Sequence, residues 1–449
     1  SFKKRNPRKM AKSIGKRVIT AQYISLFIFV LLFSSSCAIQ KAQRSLLNTP
    51  ALKGAHVGIA IYNDTKSVWI DQRQSDYYYT PASNTKILAT YVGLQFLGDS
   101  IPGWKMAENA DTLFLFPQGD PSFLHPEFTH QPIVDLIQQT NKQVVIATTQ
   151  SNDRFESMGD GWAWNDYAED YQPERSRMPI YGNVVHFYDQ GKNLQIKPFS
   201  FFKNQAIQYE EVKSKQWSRK KLTNDFFVTA QKNNAKYFQV PFITDPEKDI
   251  QLLNDSLRLK KPIQVLHYTP LLAQKTIKTV PTDTLLKIMM SRSDNFYAEQ
   301  IVLMSSAQLL GRMDDAAFAD SMIQQEFTFL PQPMRWADGS GLSRYNLNTP
   351  ENYIAILKQM QAKFGEARVK NIFEKGGEGT LSAYYKNFPG TLYAKTGTLG
   401  GQIALSGFIY TQRQQKLYFS VLVANHLSKT SAAVRRAVEA YLVEIAKRN

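Results

Sequence analysis

The sequence predicts an α/β protein, more strictly α+β: an antiparallel sheet flanked by helices and interrupted by a large, mainly β insertion. Three observations predict it. A hairpin pattern occupies residues 56–70. Strand patterns at 392–395, 402–410 and 417–424, followed by a helical pattern, occupy the end of the chain. Between them, residues 99–275 read as strand-like and loop-rich, with helical sequence on either side. The hairpin and the C-terminal strands then share one sheet, which joins the two ends of the chain and sends the insertion outward.

The front of the chain reads as a targeting segment, residues 1–37. Eight lysines and arginines from Lys3 to Arg17 precede an apolar run, Tyr23 to Phe33, and then Ser34-Ser35-Ser36-Cys37. Basic, apolar, small residues and then cysteine is the order of a bacterial lipoprotein signal, in which Cys37 becomes the lipidated first residue. The apolar run is short for a membrane span. Plain secretion or an uncleaved anchor are the alternatives. Cys37 is the single cysteine, so no intramolecular disulfide forms, and lipidation gives the free thiol a purpose. Without the leader, 46 basic residues face 38 acidic ones. That moderate excess suits an anionic envelope polymer as partner, and no nucleic-acid module is present.

Residues 38–50 read as a polar linker. His56 to Tyr62 alternates in β-formers, Asn63-Asp64 is a turn signal, and Ser67 to Ile70 pairs back. A helix is predicted from Ser83 through Leu94, ended by Gly98. Within the insertion, Gln118-Gly119-Asp120-Pro121 is a turn, Gly161-Trp162-Ala163-Trp164-Asn165-Asp166 clusters tryptophans, and Lys213 to Lys221 is a basic run of the solvated kind. Helical sequence returns from Thr282 to Met289 and resumes after Ser293-Asp294-Asn295. Pro333 to Pro350 is irregular, and a helix follows Thr349-Pro350 with proline at its first position. The closing helix, Ser428 to Lys447, lines up Val434, Val438, Tyr441, Leu442 and Ile445 on one side. The predicted division is 38–98 and 276–449 as one domain, with 99–275 inserted as two subdomains, the outer one at about 160–260.

The chemistry-bearing stretch is Pro81-Ala82-Ser83-Asn84-Thr85-Lys86. Ser83 and Lys86 are three apart, so on a helix their side chains meet. A serine hydroxyl needs a neighbouring base to become a nucleophile, and a lysine serves if its pKa is lowered. The pattern Ser-x-x-Lys occurs five times in the chain and is weak alone. Taken alone, Ser293-Asp294-Asn295 is an ordinary helix cap or turn, and Lys395-Thr396-Gly397 a strand end. Their occurrence in this order, each in a suitable local context, sets Ser83 apart. The six histidines show no metal-ligand spacing, no glycine-rich phosphate loop is evident, and the chemistry calls for no cofactor.

These three elements in this order resemble the signature of the penicillin-recognising serine enzymes, which include β-lactamases and penicillin-binding proteins. With Gly119-Asp120-Pro121, the tryptophan cluster, Ala337 to Arg344, Gly379-Thr380-Leu381 and Gly407-Phe408-Ile409, the chain resembles the class C low-molecular-mass group. That group is the penicillin-binding protein 4 type of D-Ala-D-Ala carboxypeptidase/endopeptidase. The resemblance covers most of the chain beyond the leader and implies a β-lactamase/transpeptidase-like domain carrying the insertion.

It implies that Ser83 is the nucleophile and Lys86 its base. Ser293 then relays a proton to the leaving amine, and Asn295 holds the substrate amide. Lys395 supplies positive charge, and Thr396 and Thr398 bind the substrate carboxylate. Gly397 keeps the strand thin where substrate lies. The backbone N–H groups of Ser83 and Thr398 form the oxyanion hole, each donor being worth ~3 kcal/mol. Peptidoglycan stem peptides are the implied substrate and β-lactams the covalent inhibitors. In the group, an acid ahead of the tryptophan cluster can bind the amine of the diamino acid; by spacing this chain has Ser151 there, with Asp153 two residues on. A β-lactamase or esterase of the same superfamily, or a non-catalytic penicillin sensor, are the competing readings.

Overall fold

The computed structural model describes residues 38–150, 152–189, 194–203, 207–209, 217–228, 236–268, 272 and 274–449. The leader with Cys37, and Ser151, lie outside the described residues. Residues 38–47 form a helix, α1, where the sequence suggested a polar linker. Ile39, Ala42 and Leu46 recur at helical spacing and pack into a core shared with the C-terminal helix.

β1 (His56–Asn63) and β2 (Val68–Arg73) form the predicted hairpin. A 3-10 turn, Ala82–Thr85, then runs into α2 (Lys86–Phe96). Ser83 therefore sits in the tight turn ahead of the α-helix and not in the helix itself. Gly98, with φ +72°, follows α2 closely and supplies the predicted end.

The insertion begins with β3 (Trp104–Glu108) and β4 (Thr112–Pro117). Helix α3 (Pro132–Gln139) crosses to β5 (Gln143–Ala147), which pairs parallel with β4 and so needs a crossover. Next come β6 (Val184–Asp189), β7 (Leu194–Lys197), α4 (Ser200–Lys203), β8 (Ile207–Tyr209), β9 (Trp217–Arg219), β10 (Phe226–Val228) and β11 (Tyr237–Pro241). They make two small sheets, β11-β6-β7 and β8-β10-β9. Helix α5 (Pro246–Leu257), β12 (Gln264–Leu266) and β13 (Lys275–Ile277) return the chain to the first sheet, whose order is β12-β5-β4-β3-β13. Most of the insertion's apolar residues, from Trp104 to Ile277, form a core of their own. The chain enters and leaves it side by side: Ile101 N donates to Val280 O at 3.0 Å and Thr279 N to Ile101 O at 3.1 Å. Of the basic run, Arg219 is buried, donating to the carbonyls of Pro241 and Tyr167, so that part is not a solvated face.

The remaining chain supplies α6 (Thr282–Arg292), α7 (Asn295–Leu310), α8 (Asp315–Ser321), α9 (Pro350–Phe364), α10 (Glu366–Ile372), β14 (Glu374–Lys375), β15 (Gly390–Leu399), β16 (Gln402–Thr411), β17 (Lys416–Ala424) and α11 (Ser431–Arg448). Thr349 caps α9 by accepting from Asn352 N, and Pro350 opens it. The main sheet is antiparallel, in the order β14-β15-β16-β17-β1-β2. β1 lies against β17 from His56↔Ala424 to Asn63↔Leu417, which joins the two ends of the chain as predicted. Both faces of the sheet are covered. Leu417, Phe419, Val421 and Val423 face α1 and α11, while Tyr418 and Leu422 face α2, α7 and α9.

Candidate active site

Four short stretches converge at one edge of the main sheet. The first is the turn before α2. Ala82 adopts φ +48°, a left-handed conformation that aims the next residue, Ser83, out of the turn. Lys86 opens α2, is 0% exposed, and donates from Nζ to three oxygens: Ser83 Oγ at 3.1 Å, Asn295 Oδ1 at 2.6 Å and Ser340 O at 2.6 Å. The last two oxygens can only accept. A neutral lysine gives its two N–H groups to them and turns its lone pair to the Ser83 hydroxyl. Burial lowers Lys86 to about 8, opposed by the charges of Asp338, Asp294 and Glu299.

The second stretch is the break between α6 and α7. Ser293 ends α6 in the left-handed conformation, φ +60°, and Asp294 caps α7, its carboxylate accepting from Tyr297 N at 2.9 Å. The chain thus turns sharply between two helices and presents Ser293 and Asn295 to the same space. Asn295 Nδ2 donates to Tyr171 O at 2.8 Å, which ties this break to the insertion.

β15 is the third. Lys395 is 0% exposed and donates from Nζ to Ser293 Oγ and to Thr396 O, both at 2.8 Å. Burial and then the nearby charges of Lys86 and Arg435 push it well below the ordinary lysine range. Asn84, its amide turned to satisfy both neighbours, donates to Lys395 O and accepts from Ser406 Oγ, each at 2.7 Å, binding the nucleophile's turn to the strand. Gly397 is required by close approach: a Cβ there would lie 3.0 Å from Ser83 N and 2.8 Å from Pro81 O. Thr398 lines the cleft and accepts from Arg435 Nη2 at 2.6 Å, whereas the Thr396 hydroxyl donates to Thr380 Oγ1 at 2.9 Å.

The fourth is the irregular loop, organised by Asp338. Its buried carboxylate accepts from Gly341 N (2.8 Å), Ser343 N (2.7 Å), Asn346 Nδ2 (2.7 Å), Ser340 Oγ (3.2 Å) and Trp162 Nε1 (2.9 Å). The loop is thereby held where Ser340 O meets Lys86. Gly341, φ +85°, passes so close to Ala82 that a Cβ would overlap Ala82 O. Behind it, buried Glu299 accepts from Ser340 N at 2.7 Å and pairs with Arg175 of the insertion; burial raises Glu299 to about 7.

Ser83, Ser293, Asn295 and Thr398 therefore line a cleft of ≈ 740 Å³ that also takes in Gly161, Ala163 and Asp166 of the tryptophan segment, with Lys86 and Lys395 buried behind Ser83 and Ser293. Asp153 is committed elsewhere, pairing with Arg177 at 2.6 Å and accepting from Met313 N. Sequence reasoning gave no role to Arg435, Glu299, Tyr171 or Asp338. Asp338 stood in a motif already singled out; the others arrive only through tertiary folding.

The sequence pattern of the D-Ala-D-Ala carboxypeptidase 3 (S13) family matches residues 39–235 and 250–449. The chain is 22% identical over 416 residues to penicillin-sensitive carboxypeptidase A of Dictyostelium discoideum, covering 77% of this chain and 78% of that protein. It is 31% identical over 163 residues to D-alanyl-D-alanine carboxypeptidase DacB of Haemophilus influenzae, 33% of this chain and 32% of that one. The crystal structure of penicillin-binding protein 4 from Haemophilus influenzae superposes with a TM-score of 0.68 at 19% identity, covering 90% of this chain and 98% of that chain. The same protein complexed with a β-lactam gives 0.63 at 18% identity, over 91% and 99%.

Proposed function

The chain belongs to the D-Ala-D-Ala carboxypeptidase 3 (S13) family and is a serine-type D-Ala-D-Ala carboxypeptidase, and from that premise we propose how its residues work. Ser83 Oγ attacks the carbonyl of the penultimate D-Ala of a peptidoglycan stem peptide. Its proton passes to Lys86, and the tetrahedral oxyanion is held by the N–H groups of Ser83 and Thr398. Ser293, hydrogen-bonded to Lys395, returns a proton to the departing amine. Water then resolves the acyl-enzyme by the same route, releasing a shortened stem or, from a cross-link, two strands. Asn295 holds the acyl side by its amide.

The terminal carboxylate of the substrate lies toward Lys395, Thr398 and Arg435. Thr396 contributes after release from Thr380. A bound carboxylate sets a negative charge beside buried Lys395 and favours its charged form. The single observation that carries this reading is the Lys86 amine, fixed by two pure acceptors with Ser83 as its third partner. A β-lactam, offering a strained amide with a similar carboxylate, acylates the same serine. Fluorescent penicillin followed by peptide mapping tests the assignment: the label falls on Ser83 and is absent from Ser83→Ala. Labelling that survives this substitution removes Ser83 from the mechanism.

We infer also that the 99–275 insertion walls the cleft on one side, in support of which Trp162 bonds Asp338 and Arg175 pairs with Glu299. Among the described residues no helix is long and apolar enough to cross a membrane. The leader's order of basic, apolar and small residues supports diacylglyceryl attachment at Cys37 and a place in the bacterial cell envelope. Mass spectrometry of the mature N-terminus tests this; an unmodified Cys37 refutes the anchor.

A further inference from the structure

A second cavity, ≈ 480 Å³, opens from the catalytic cleft through the wall they share, Tyr171, Ser293 and Asn295. None of the hydrolytic steps uses it. Tyr188 of β6 and Tyr237 and Gln239 of β11 line the cavity and not the cleft, so they stand away from the reacting serine. The ring of Tyr237 is held in place. His186 Nε2 donates to Tyr181 O at 2.8 Å, which leaves Nδ1 to accept from the Tyr237 hydroxyl, also at 2.8 Å. The ring of Tyr188 lies 5.1 Å from it, centroid to centroid. Yet Tyr171 and Tyr237 are 41% and 45% exposed, so fixed aromatic surface is left uncovered in a concave site. The polar groups around these rings carry little free charge. Arg292 is spent on Glu127 and, at 3.0 Å, on Asp294. Burial keeps His125 and His186 neutral, taking them to about 3 and about 4. Burial, and then the charges of Glu169 and Asp294, raise the carboxyl of Asp170. Such a lining suits a ligand rich in hydroxyls better than a cation.

Resting on the carboxypeptidase reading of the cleft, we propose that this cavity holds a sugar ring of the glycan strand from which the acyl-side stem peptide hangs. A pyranose ring has C–H groups on its faces and hydroxyls around its edge. Tyrosine faces cover the first, and the Asp170 carboxyl, the Gln239 amide and the tyrosine hydroxyls bond the second. The volume falls within the range of small-molecule sites, about 300–1,000 Å³. The position fits as well. The cavity opens beside Asn295, the residue placed on the acyl side of the scissile bond. Four stem residues, at most about 14 Å of chain, separate that carbonyl from the sugar that bears the stem. The cleft thus reads the end of the stem, and the cavity reads its root.

The test compares kcat/KM for a free stem pentapeptide ending in D-Ala-D-Ala with kcat/KM for the same pentapeptide still carrying its disaccharide. The wild-type enzyme should favour the glycosylated substrate about tenfold, through KM and not kcat, because the sugar is held alike before and during reaction. Gln239→Trp fills the cavity from β11 and should erase that preference. Tyr237→Ala removes one aromatic face and should reduce it about two- to tenfold. Asp170→Asn keeps the hydrogen-bonding shape and should leave it within about twofold. Rates on the free pentapeptide and with penicillin should match the wild type in all three variants, which shows that each is folded. Equal kcat/KM for the two substrates in the wild type overturns the proposal, as does a parallel loss on both substrates in Gln239→Trp and Tyr237→Ala. A preference lost as fully in Asp170→Asn as in Gln239→Trp marks a cationic ligand and overturns the sugar. A wild-type enzyme inert to both substrates and to penicillin overturns the carboxypeptidase reading itself, and the subsite with it.

Discussion

Lys86 is where burial becomes chemistry. Only the neutral amine can take the Ser83 proton, and its pKa is lowered to about 8. Below that value each unit of pH leaves about ten times less of the enzyme with a neutral Lys86. Acylation by a D-Ala-D-Ala peptide, followed as kcat/KM, should therefore fall about tenfold per unit as pH drops below 8 and level off above it. Lys86→Arg should cost at least about a hundredfold in acylation at every pH, since a guanidinium stays charged. Removing Arg435, which lies beside Thr398, has a different signature. Arg435→Ala should raise KM for peptides with a free terminal carboxylate several-fold while the deacylation rate stays near normal. The sequence announced Lys86, because its partner lies three residues away. It was silent on Arg435, which is 37 residues from Thr398 and meets it only because α11 folds back on the sheet.

Among elements, β15 and the Asp338 loop bracket the nucleophile from opposite sides. Gly397→Ala places a methyl against Ser83 N and Pro81 O, both backbone atoms that cannot swing aside. The oxyanion donor shifts, and the second-order rate of penicillin acylation should drop about a hundredfold with little change in Tm. Asp338→Asn acts twice. It unbalances a buried set of five donors, which should destabilise the fold by about 1–3 kcal/mol. It also deletes the charge that most raises Lys86, so the acid limb of the pH profile should move to lower pH. A variant merely loosened would show the first effect without the second. Element by element, the sequence was most legible where the signal is local: the β1–β2 turn, the Pro350 helix start, and the short apolar runs of β16 and β17. It failed at α1, where polar residues outnumber the Ile39, Ala42 and Leu46 that pack. It also failed at α3 and α5, whose short amphipathic patterns are submerged in loop-rich sequence. The bend that points Ser293 and Asn295 into the cleft was legible only as composition, since a left-handed serine leaves no periodic trace.

Across the whole molecule, the insertion is fastened to the catalytic helices by a few buried polar contacts. Arg175 pairs with Glu299 of α7 and Asp315 of α8, and Gln300 donates to the carbonyls of Gly119 and Ser176 at 2.9 and 2.8 Å. Arg175→Met strands Glu299 without its cation and should cost about 3–5 kcal/mol, read as a lower Tm. Adding Glu299→Gln should return part of that loss, because the orphaned charge is then gone. No sequence pattern marks these pairs, which join residues 124 and 140 apart.

The strand order sets a timetable for synthesis. β1 leaves the ribosome well before its neighbour β17, which is translated some 360 residues later. The inserted unit, whose core lies within 104–277, can close while β1 still waits. A nascent chain stopped just short of Lys416 already carries Ser83, Lys86, Ser293, Asn295 and Lys395. It lacks β17, which stitches β1 to β16, and α11 with Arg435, so the sheet and helix that back the reactive centre are still to come. The reactive centre thus waits on a pairing between strands some 360 residues apart, a delay that follows from topology alone.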